Sequence, residues 1–382
     1  MRNISLTKAK NTKNDEFYTQ WADIEKEVQA YLELDPDVFR GKTILCPCDD
    51  PYESNFFKYF ALSFNVFGLK KLIATCYVDS PIANTQLSLF DYENENDKTT
   101  KLPHKIIINE GIDENDDGVF DLGDIITSLS KNEKNTLTQL ESNGDFRSTE
   151  CTELLREADI VITNPPFSLF REFLAWIIEA KKAFLIIGNM NAISYKEVFP
   201  LIKENKAWLG ATGNTSDMVF AVPKGAVVAE KDKEKAARLG YVGDYTRLGN
   251  SCWFTNLDHG RRHQPLSLMT TADNLKFSRH KELKGKQSYD MYDNYDAIDV
   301  PFTDAIPSDY RGLMGVPISF LDKYCPEQFE IVGASDNGAV DEKYKLPHFK
   351  KHNEPYVDGK KQYKRIFIKQ RGMYYENDTT DI

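Results

Sequence analysis

Apolar and polar positions along the first two thirds of the chain follow the pattern of alternating strands and helices. Short apolar runs predict strands, and residues such as Phe170, Phe173, Leu174 and Ile177 recur at helical spacing. The predicted strands lie at 42–48, 70–78, 105–109, 159–164, 183–188, 206–211, 217–223 and 251–257. Helices are predicted at 53–65, 151–158 and after residue 168. This order predicts an α/β fold built on a doubly wound sheet.

One junction in this pattern is unusual. The stretch "DIVITNPPFSLF" (159–170) ends an apolar strand in Asn164 and two consecutive prolines. Proline lacks an N–H donor, so Pro165 and Pro166 could simply end the strand before a helix capped by Ser168. However, open α/β sheets bind ligands at the carboxyl ends of their strands. The location therefore favours a functional site.

The chain is long enough for two regions. Residues 1–258 are predicted to form an α/β domain with polar insertions at about 91–142 and 223–245, and residues 259–382 a smaller region. The start of the sequence is polar, and no apolar run approaches membrane-spanning length. The six cysteines form neither a zinc knuckle nor a disulfide framework. A cytoplasmic protein without a membrane anchor is expected.

The charge is unevenly distributed. The net charge is -11, yet residues 345–371 carry nine Lys or Arg against two acidic residues, and residues 258–286 carry seven against three. A charged run is often only a solvated surface, but two basic stretches in one half of an acidic protein indicate a nucleic-acid partner. Residues 259–382 are therefore expected to form a basic DNA-recognition region. Its candidate DNA contacts are Arg261, Arg262, Lys350, Lys351, Lys360, Lys361, Lys364 and Arg365.

The chemistry of an exocyclic amino group explains the junction at Asn164. Such a nitrogen is a poor nucleophile because its lone pair is conjugated with the ring. The side-chain oxygen of Asn164 and the backbone oxygen of Pro165 would accept its two hydrogens and favour a tetrahedral nitrogen. Pro165 and Pro166 keep both acceptors preorganised, and Phe167 offers a face for an extruded base.

At these residues the sequence resembles the EcoRI-type adenine-specific DNA methyltransferases. The resemblance rests on "NPPF" (164–167), "GDF" (144–146), "NDEFYTQ" (14–20) and "CDDPYESNFFKYF" (48–60), and it extends to "WFTNLDHGRRH" (253–263). It implies a Rossmann-like methyltransferase sheet, a bound S-adenosylmethionine, and transfer of a methyl group to N6 of an adenine flipped out of double-stranded DNA. A monomer is expected, and the presence of a companion restriction endonuclease is left open.

The resemblance assigns roles by position. The residues holding the target base would be Asn164, Pro165, Pro166 and Phe167. Asp145 would accept a hydrogen bond from the cofactor's adenine amino group, with Phe146 packing on the adenine ring. The remaining cofactor contacts would be Tyr18, Thr19, Asp49 and Asp50.

The sequence also departs from the general methyltransferase pattern. No glycine-rich turn follows the first strand, and the second strand has no acidic residue before Asp79, so the carboxylate that binds the ribose is left open. The "NPPF" motif also occurs in methyltransferases of RNA and of protein glutamine. These activities, and a catalytically silent DNA-binding protein, remain alternatives.

An acidic loop at 113–124 has the spacing of a calcium site. The candidate ligands are Asp113, Asn115, Asp117, Asp121 and Asp124. A strand precedes the loop where a helix is required, and Asp124 replaces the usual bidentate Glu. An acidic surface loop whose aspartates cap a helix is therefore the favoured interpretation, and no metal is expected.

Overall fold

The computed structural model describes residues 18–49, 54–75, 103–118, 120–131, 134–212, 218–222, 228–335, 342–346 and 353–372. The chain divides into two compact units, the first of residues 1–190 and 209–259 and the second of residues 191–208 and 260–382. Residues 191–208, predicted to belong to the α/β domain, thus group with the second unit. The molecule is a mixed α/β protein.

Up to residue 259 the described residues form eleven strands, all in the first unit except that Trp208 of β8 groups with the second. They are β1 (Tyr18–Thr19), β2 (Thr43–Cys46), β3 (Lys71–Thr75), β4 (His104–Ile108), β5 (Thr136–Gln139), β6 (Ile160–Thr163), β7 (Ala183–Asn189), β8 (Trp208–Leu209), β9 (Val219–Ala221), β10 (Tyr245–Arg247) and β11 (Ser251–Thr255). Eight of them form one sheet in the order β5-β4-β3-β2-β6-β7-β11-β8, and β1, β9 and β10 form a separate antiparallel sheet. The predicted strand at 217–223 therefore exists, but it pairs outside the large sheet.

The centre of the large sheet is parallel and its margins are antiparallel. Strands β3, β2, β6 and β7 run in one direction, whereas β4 opposes β3, β5 opposes β4, and β11 opposes β7. Every residue of β2, β6 and β11 is buried. Strands covered on both faces need apolar side chains throughout, which explains their apolar runs without alternation.

The described helices of the first unit flank these strands. They are α1 (Trp21–Leu34), α2 (Asn55–Leu62), α3 (Phe64–Phe67), α4 (Leu122–Lys131), α5 (Thr149–Glu157), α6 (Phe170–Glu179) and, after the short α7 (Phe199–Lys203) of the second unit, α8 (Glu230–Arg238). Ser54 and Ser148 cap α2 and α5 by accepting backbone N–H bonds. The prediction that Ser168 caps α6 is wrong. The cap residue is Leu169, and Ser168 lies in a short 3-10 turn, Phe167–Leu169.

The stretch at 91–142 contributes directly to the large sheet. Its described part supplies β4, β5 and α4, and Ile106, Ile108, Ile125 and Leu129 are buried in the core of the unit. The stretch at 223–245 returns to the fold in a similar way, because it contains α8 and ends in β10. The described part of 91–142 thus combines a solvated face with buried apolar side chains, whereas α8 in the second stretch buries only Ala236.

The second unit has its own four-stranded sheet. The described strands of this unit are β12 (Ala297–Asp299), β13 (Leu313–Pro317), β14 (Phe329–Ala334), β15 (Tyr356–Val357), β16 (Lys360–Lys361) and β17 (Arg365–Gln370), and a helix α9 spans Thr271–Phe277. The sheet order is β12-β13-β17-β14, and β15 and β16 form a hairpin. Tyr292, Tyr295 and Phe367 are central in its core. In the described part of the chain, no helix has the length and apolar character needed to cross a membrane.

Candidate active site

The Asn-Pro-Pro-Phe loop lies where the order of the parallel strands reverses. The chain proceeds from β2 to β3 on one side and from β6 to β7 on the other, while β2 and β6 are neighbours. In open α/β sheets such a reversal leaves a crevice at the carboxyl ends of the two strands. Asp49 follows β2 and Asn164 follows β6, so both lie at this end of the sheet.

The loop itself is short and conformationally restricted. Pro165 is buried, whereas Asn164, Pro166 and Phe167 are partly exposed. The Leu169 N–H donates to the Pro166 carbonyl at 2.9 Å, which closes the 3-10 turn behind the prolines. Phe167 packs one side against the core of the first unit. The sequence-predicted residues Asn164 to Phe167 are thus presented together on a stiff support.

Asp49 braces this loop from the neighbouring strand. Its buried carboxylate accepts a hydrogen bond from the Ser54 hydroxyl at 2.6 Å and another from the Thr163 hydroxyl at 2.5 Å. Thr163 immediately precedes Asn164, so the turn after β2 is tied to the end of β6. The Thr75 hydroxyl donates to the Pro47 carbonyl at 3.1 Å and ties in β3 as well. Sequence reasoning singled out Asp49 but missed Ser54, Thr75 and Thr163, whose hydroxyl groups in apolar surroundings were the available signal.

Asp145 is held by a guanidinium two residues further along the chain. Its Oδ1 accepts from the Arg147 backbone N–H and from Nε, both at 2.9 Å, and its Oδ2 accepts from Nη2 at 2.6 Å. Burial raises the pKa of Asp145, but the hydrogen bonds and charge of Arg147 outweigh burial and keep the pKa below its ordinary value. Arg147 also reaches Glu172 of α6 at 2.7 Å. Asp145 is therefore an ionised, oriented acceptor, and Oδ2 has capacity for a further donor.

Phe146 lies beside Asp145 and faces the protein interior. Its side chain is buried, and its ring centroid lies 5.0 Å from that of Phe173 and 5.3 Å from that of Trp176. Both partners belong to α6, the helix that follows the Asn-Pro-Pro-Phe loop. The two motifs are thereby connected through this helix, and packing of Phe146 on a cofactor ring remains a prediction.

Tyr18 and Thr19 lie in the small antiparallel sheet. Tyr18 pairs with Ala221 and Thr19 with Phe220, and the Asn55 side chain donates to the Thr19 carbonyl at 2.7 Å. The Thr19 hydroxyl is buried, and no residue in the described ranges hydrogen-bonds to it. A buried hydroxyl in this state has donor and acceptor capacity for a bound polar group. Asp50 lies outside the described residues.

Glu27 is a buried carboxylate that was not predicted from the sequence. It accepts hydrogen bonds from the Ala211 N–H at 2.8 Å, the Thr212 N–H at 2.6 Å, the Thr212 hydroxyl, and the Tyr31 hydroxyl at 2.7 Å. Burial raises its pKa, and these hydrogen bonds act in the opposite direction. A Cβ on Gly210 would lie 2.3 Å from the Glu27 carboxylate, so this close approach requires glycine. Glu27 thus attaches α1 to the backbone at 211–212.

The candidate DNA contacts of the second unit separate into buried arginines and side chains that are exposed to solvent at least in part. The guanidinium of Arg262 is buried over the Trp208 ring at 3.8 Å, and that of Arg365 is buried against Asp299 at 2.9 Å. Arg261 is partly exposed and pairs with Asp322 at 2.9 Å. The exposed lysines near the hairpin are Lys360, Lys361 and Lys364. Lys350 and Lys351 lie outside the described residues.

In the acidic loop the carboxylates accept backbone hydrogen bonds. Asp113 accepts from the Gly118 N–H at 2.7 Å, and Asp121 accepts from the Gly123 N–H at 2.6 Å. Asp124 accepts from the N–H groups of Asp121 and Glu114, and these hydrogen bonds, the one from Asp121 above all, lower its pKa. Within the described ranges, no group of three or more His, Cys, Asp or Glu side chains is placed to hold a metal ion. The contacts of the loop are those of a turn that stabilises the start of α4.

An Asn-Pro-Pro-Phe loop at the strand-order reversal of an α/β sheet is the arrangement expected of an amino-methyltransferase, and the comparisons with known proteins give that class. The family model described as "Adenine-specific methyltransferase EcoRI" matches residues 5–371. The chain is 43% identical over 378 residues to the Type II methyltransferase M.EcoRI of Escherichia coli, an alignment covering 97% of this chain and 98% of that protein. It is 33% identical over 378 residues to the Type II methyltransferase M.MpnI of Mycoplasma pneumoniae, covering 96% and 98%. The chain belongs to the EcoRI family of adenine-specific methyltransferases. No solved structure matches it significantly.

Proposed function

We propose that this protein transfers a methyl group from S-adenosylmethionine to N6 of an adenine flipped out of a specific double-stranded DNA sequence. The observation that carries the proposal is the stiff loop of Asn164, Pro165, Pro166 and Phe167 beside Asp49, where the strand order reverses. Family membership supports it, and the Type II names of the relatives favour a role beside a restriction endonuclease. The parallel centre of the sheet, with its reversal between β2 and β6, supports the Rossmann-like arrangement.

The loop would activate the target nitrogen by accepting its hydrogens. The Asn164 side-chain oxygen and the Pro165 carbonyl accept one amino hydrogen each, which withdraws the nitrogen lone pair from the adenine ring and directs it outward. Because the Thr163 hydroxyl is anchored on Asp49, the acceptors need little reorganisation when the base arrives. Phe167 stacks on the flipped base. No general base is needed before the transfer. Once the nitrogen has accepted the methyl group it is positively charged and strongly acidic, and only then does it lose a proton.

The residues present fit S-adenosylmethionine, which supplies an electrophilic methyl group on a sulfonium. Asp145 has an ionised carboxylate with acceptor capacity on Oδ2, suited to the adenine amino group of the cofactor. The buried Thr19 hydroxyl and the neighbouring Tyr18 would meet its methionine end, and Asp49 would contact it at the turn after β2. Phe146 would supply apolar packing.

DNA would be held through exposed cations of the second unit. We propose phosphate contacts for Lys360, Lys361 and Lys364, with Arg261 as a further candidate. Arg262 and Arg365 also belong to the basic stretches of the sequence, but their guanidinium groups are buried in internal contacts. We therefore assign these two arginines a structural role and no direct contact with DNA.

The decisive experiment compares DNA from cells expressing the wild type and Asn164→Ala. Wild-type expression should yield N6-methyladenine at one recurring sequence, and Asn164→Ala should yield none while the purified variant still binds S-adenosylmethionine and duplex DNA. Ser168→Ala, an exposed change in the same turn, serves as the control and should methylate normally. Absence of modified adenine with the wild type, or a near-normal single-turnover rate for Asn164→Ala, contradicts the proposal.

A further inference from the structure

Tyr363 is held out into solvent. Its side chain is 89% exposed, more than any other large hydrophobic side chain in the part of the chain that the structure describes. Two further aromatics of the basic C-terminal stretch lie in the described residues, and both differ from it. Phe367 is fully buried in the core of the second unit, and Tyr356 is partly buried in β15. An exposed aromatic of this size has an apolar face available for a partner.

The backbone that carries Tyr363 is firmly anchored. The Gln362 N–H donates to the Pro355 carbonyl at 2.8 Å, and the Arg365 N–H donates to the Ser335 hydroxyl at 3.0 Å. The guanidinium of Arg365 donates to Asp299 at 2.9 Å and to the Tyr363 carbonyl at 3.3 Å. The backbone on both sides of Tyr363 is therefore fixed. Its exposure follows from this local geometry.

The preceding hairpin is also fixed. Asp358 and Gly359 both have positive φ angles, 49° and 70°, as a tight two-residue turn requires. The Gly359 N–H donates to the Asp293 carboxylate at 2.8 Å, and the Tyr295 hydroxyl donates to the Asn353 carbonyl at 2.6 Å. The lysines at the end of this hairpin thus have a defined position relative to the chain that leads to Tyr363.

Cations surround Tyr363 in the sequence. Lys360 and Lys361 precede it on the hairpin, Lys364 follows it directly, and all three are exposed. In DNA, an apolar base face is bordered by anionic phosphates, and proteins that contact base faces combine aromatic rings with basic side chains. A rigidly presented tyrosine among three lysines has this combination. Charge complementarity therefore favours DNA over an apolar protein surface as its partner.

We infer that Tyr363 stacks on a base of the bound DNA, entering at a base step while the neighbouring lysines contact phosphates. The inference rests on the proposed function and adds a residue to it. Stacking on a base is worth about five- to 150-fold in affinity when the ring is removed. Because the ring carries no charge, its removal leaves the salt dependence of binding unchanged, in contrast to removal of a lysine.

The test uses the full chain and a short mixed-sequence duplex containing 5-iodouracil. We expect Tyr363→Ala to weaken duplex binding by about five- to 150-fold at every salt concentration, with an unchanged salt slope, and Tyr363→Phe to bind like the wild type. Irradiation should cross-link the wild type through the peptide containing Tyr363. Met291→Ala removes another exposed apolar side chain of the same unit, outside both basic stretches, and should bind normally.

The outcomes separate this inference from the proposed function. A wild type that binds no duplex DNA contradicts the proposed function itself. A wild type that binds while Tyr363→Ala binds equally well contradicts the inference alone. Equal losses in Tyr363→Ala and Tyr363→Phe contradict stacking and indicate the hydroxyl group instead.

Discussion

At the scale of single residues, the orientation of Asp145 matters as much as its charge. Arg147 holds the carboxylate through three hydrogen bonds, and the lowered pKa keeps it ionised at neutral pH. The remaining capacity of Oδ2 is therefore directed before any ligand arrives. An acceptor prepared in this way loses little freedom on binding.

We expect Asp145→Asn to weaken S-adenosylmethionine binding by about tenfold to 150-fold, because a hydrogen bond to a charged acceptor is worth about 1.5–3 kcal/mol. Calorimetric titration measures the change. Glu172→Gln is the matched control, since it removes the other partner of Arg147 and leaves Asp145 in place. An unchanged dissociation constant for Asp145→Asn would show that Asp145 does not contact the cofactor.

The interaction between Asp145 and Arg147 makes a pH-dependent contribution to the stability of the folded protein. The pKa of Asp145 in the folded protein lies below its ordinary value of 3.8. The stabilisation is therefore complete above the ordinary value and is lost as the pH falls through the lower folded value. The difference in unfolding free energy between wild type and Asp145→Asn should be constant near neutral pH and shrink in acid. A difference that grows in acid contradicts the direction of the shift.

At the scale of elements, α1 is attached to a distant part of the chain by one buried carboxylate. Glu27 satisfies two backbone N–H groups and a hydroxyl at 211–212, while Gly210 permits the close approach. The attachment fixes the backbone at 211–212 against α1. Such an attachment acts over a long sequence separation and depends on correct folding of both segments.

Glu27→Gln should destabilise the protein by about 1–3 kcal/mol, because the amide has one acceptor oxygen and leaves a buried N–H without a partner. Urea unfolding measures the loss, and hydrogen exchange should accelerate at the amides of Ala211 and Thr212. Glu25→Gln lies on the exposed side of the same helix and should have little effect. Equal stabilities of the two variants would mean that the hydrogen bonds of Glu27 contribute nothing measurable.

The predictability of each element follows from how local its signal is. Buried strands such as β2 and β6 were predicted correctly because their apolar runs are continuous. The pairing of β9 with β1 and β10 could not be read from the sequence, since it depends on segments far apart in the chain. Glu27 belongs to a helix with a solvated face, and nothing local distinguishes it from its exposed neighbours.

The candidate site shows the same division. Asn164 and Asp145 were identified because their motifs carry recognisable chemistry. Thr163 and Arg147, which orient these motifs, form hydrogen bonds whose partners the sequence does not reveal. Charge alone also grouped Arg365 with the exposed lysines, although its guanidinium is buried against Asp299. Burial depends on the whole unit and cannot be inferred from a basic run.

At the scale of the whole molecule, a chain with a net charge of -11 must attract DNA through a localised surface. Replacing Lys360, Lys361 and Lys364 by Ala should flatten the dependence of log affinity on log salt by about 0.9 for each phosphate that is no longer neutralised, and target and random duplexes should weaken alike. Salt titration of duplex binding measures the slope.

The matched control changes Lys231, Lys233 and Lys235 of α8 to Ala, which alters the net charge equally. We expect this control to keep the wild-type slope. Identical slopes for the variant at Lys360, Lys361 and Lys364 and for the wild type would show that these lysines do not contact DNA phosphates.

The second unit is assembled from two separate stretches, residues 191–208 and 260–382, and α7 in the first stretch contacts β14 in the second. This has a consequence for protein engineering. A chimera that exchanged only the C-terminal part with a relative would combine segments from two proteins in one core, since α7 would pack against the β14 of the relative. A transplant intended to exchange the second unit must therefore carry both stretches, and a ribosome must finish the C-terminal stretch before residues 191–208 can complete their packing.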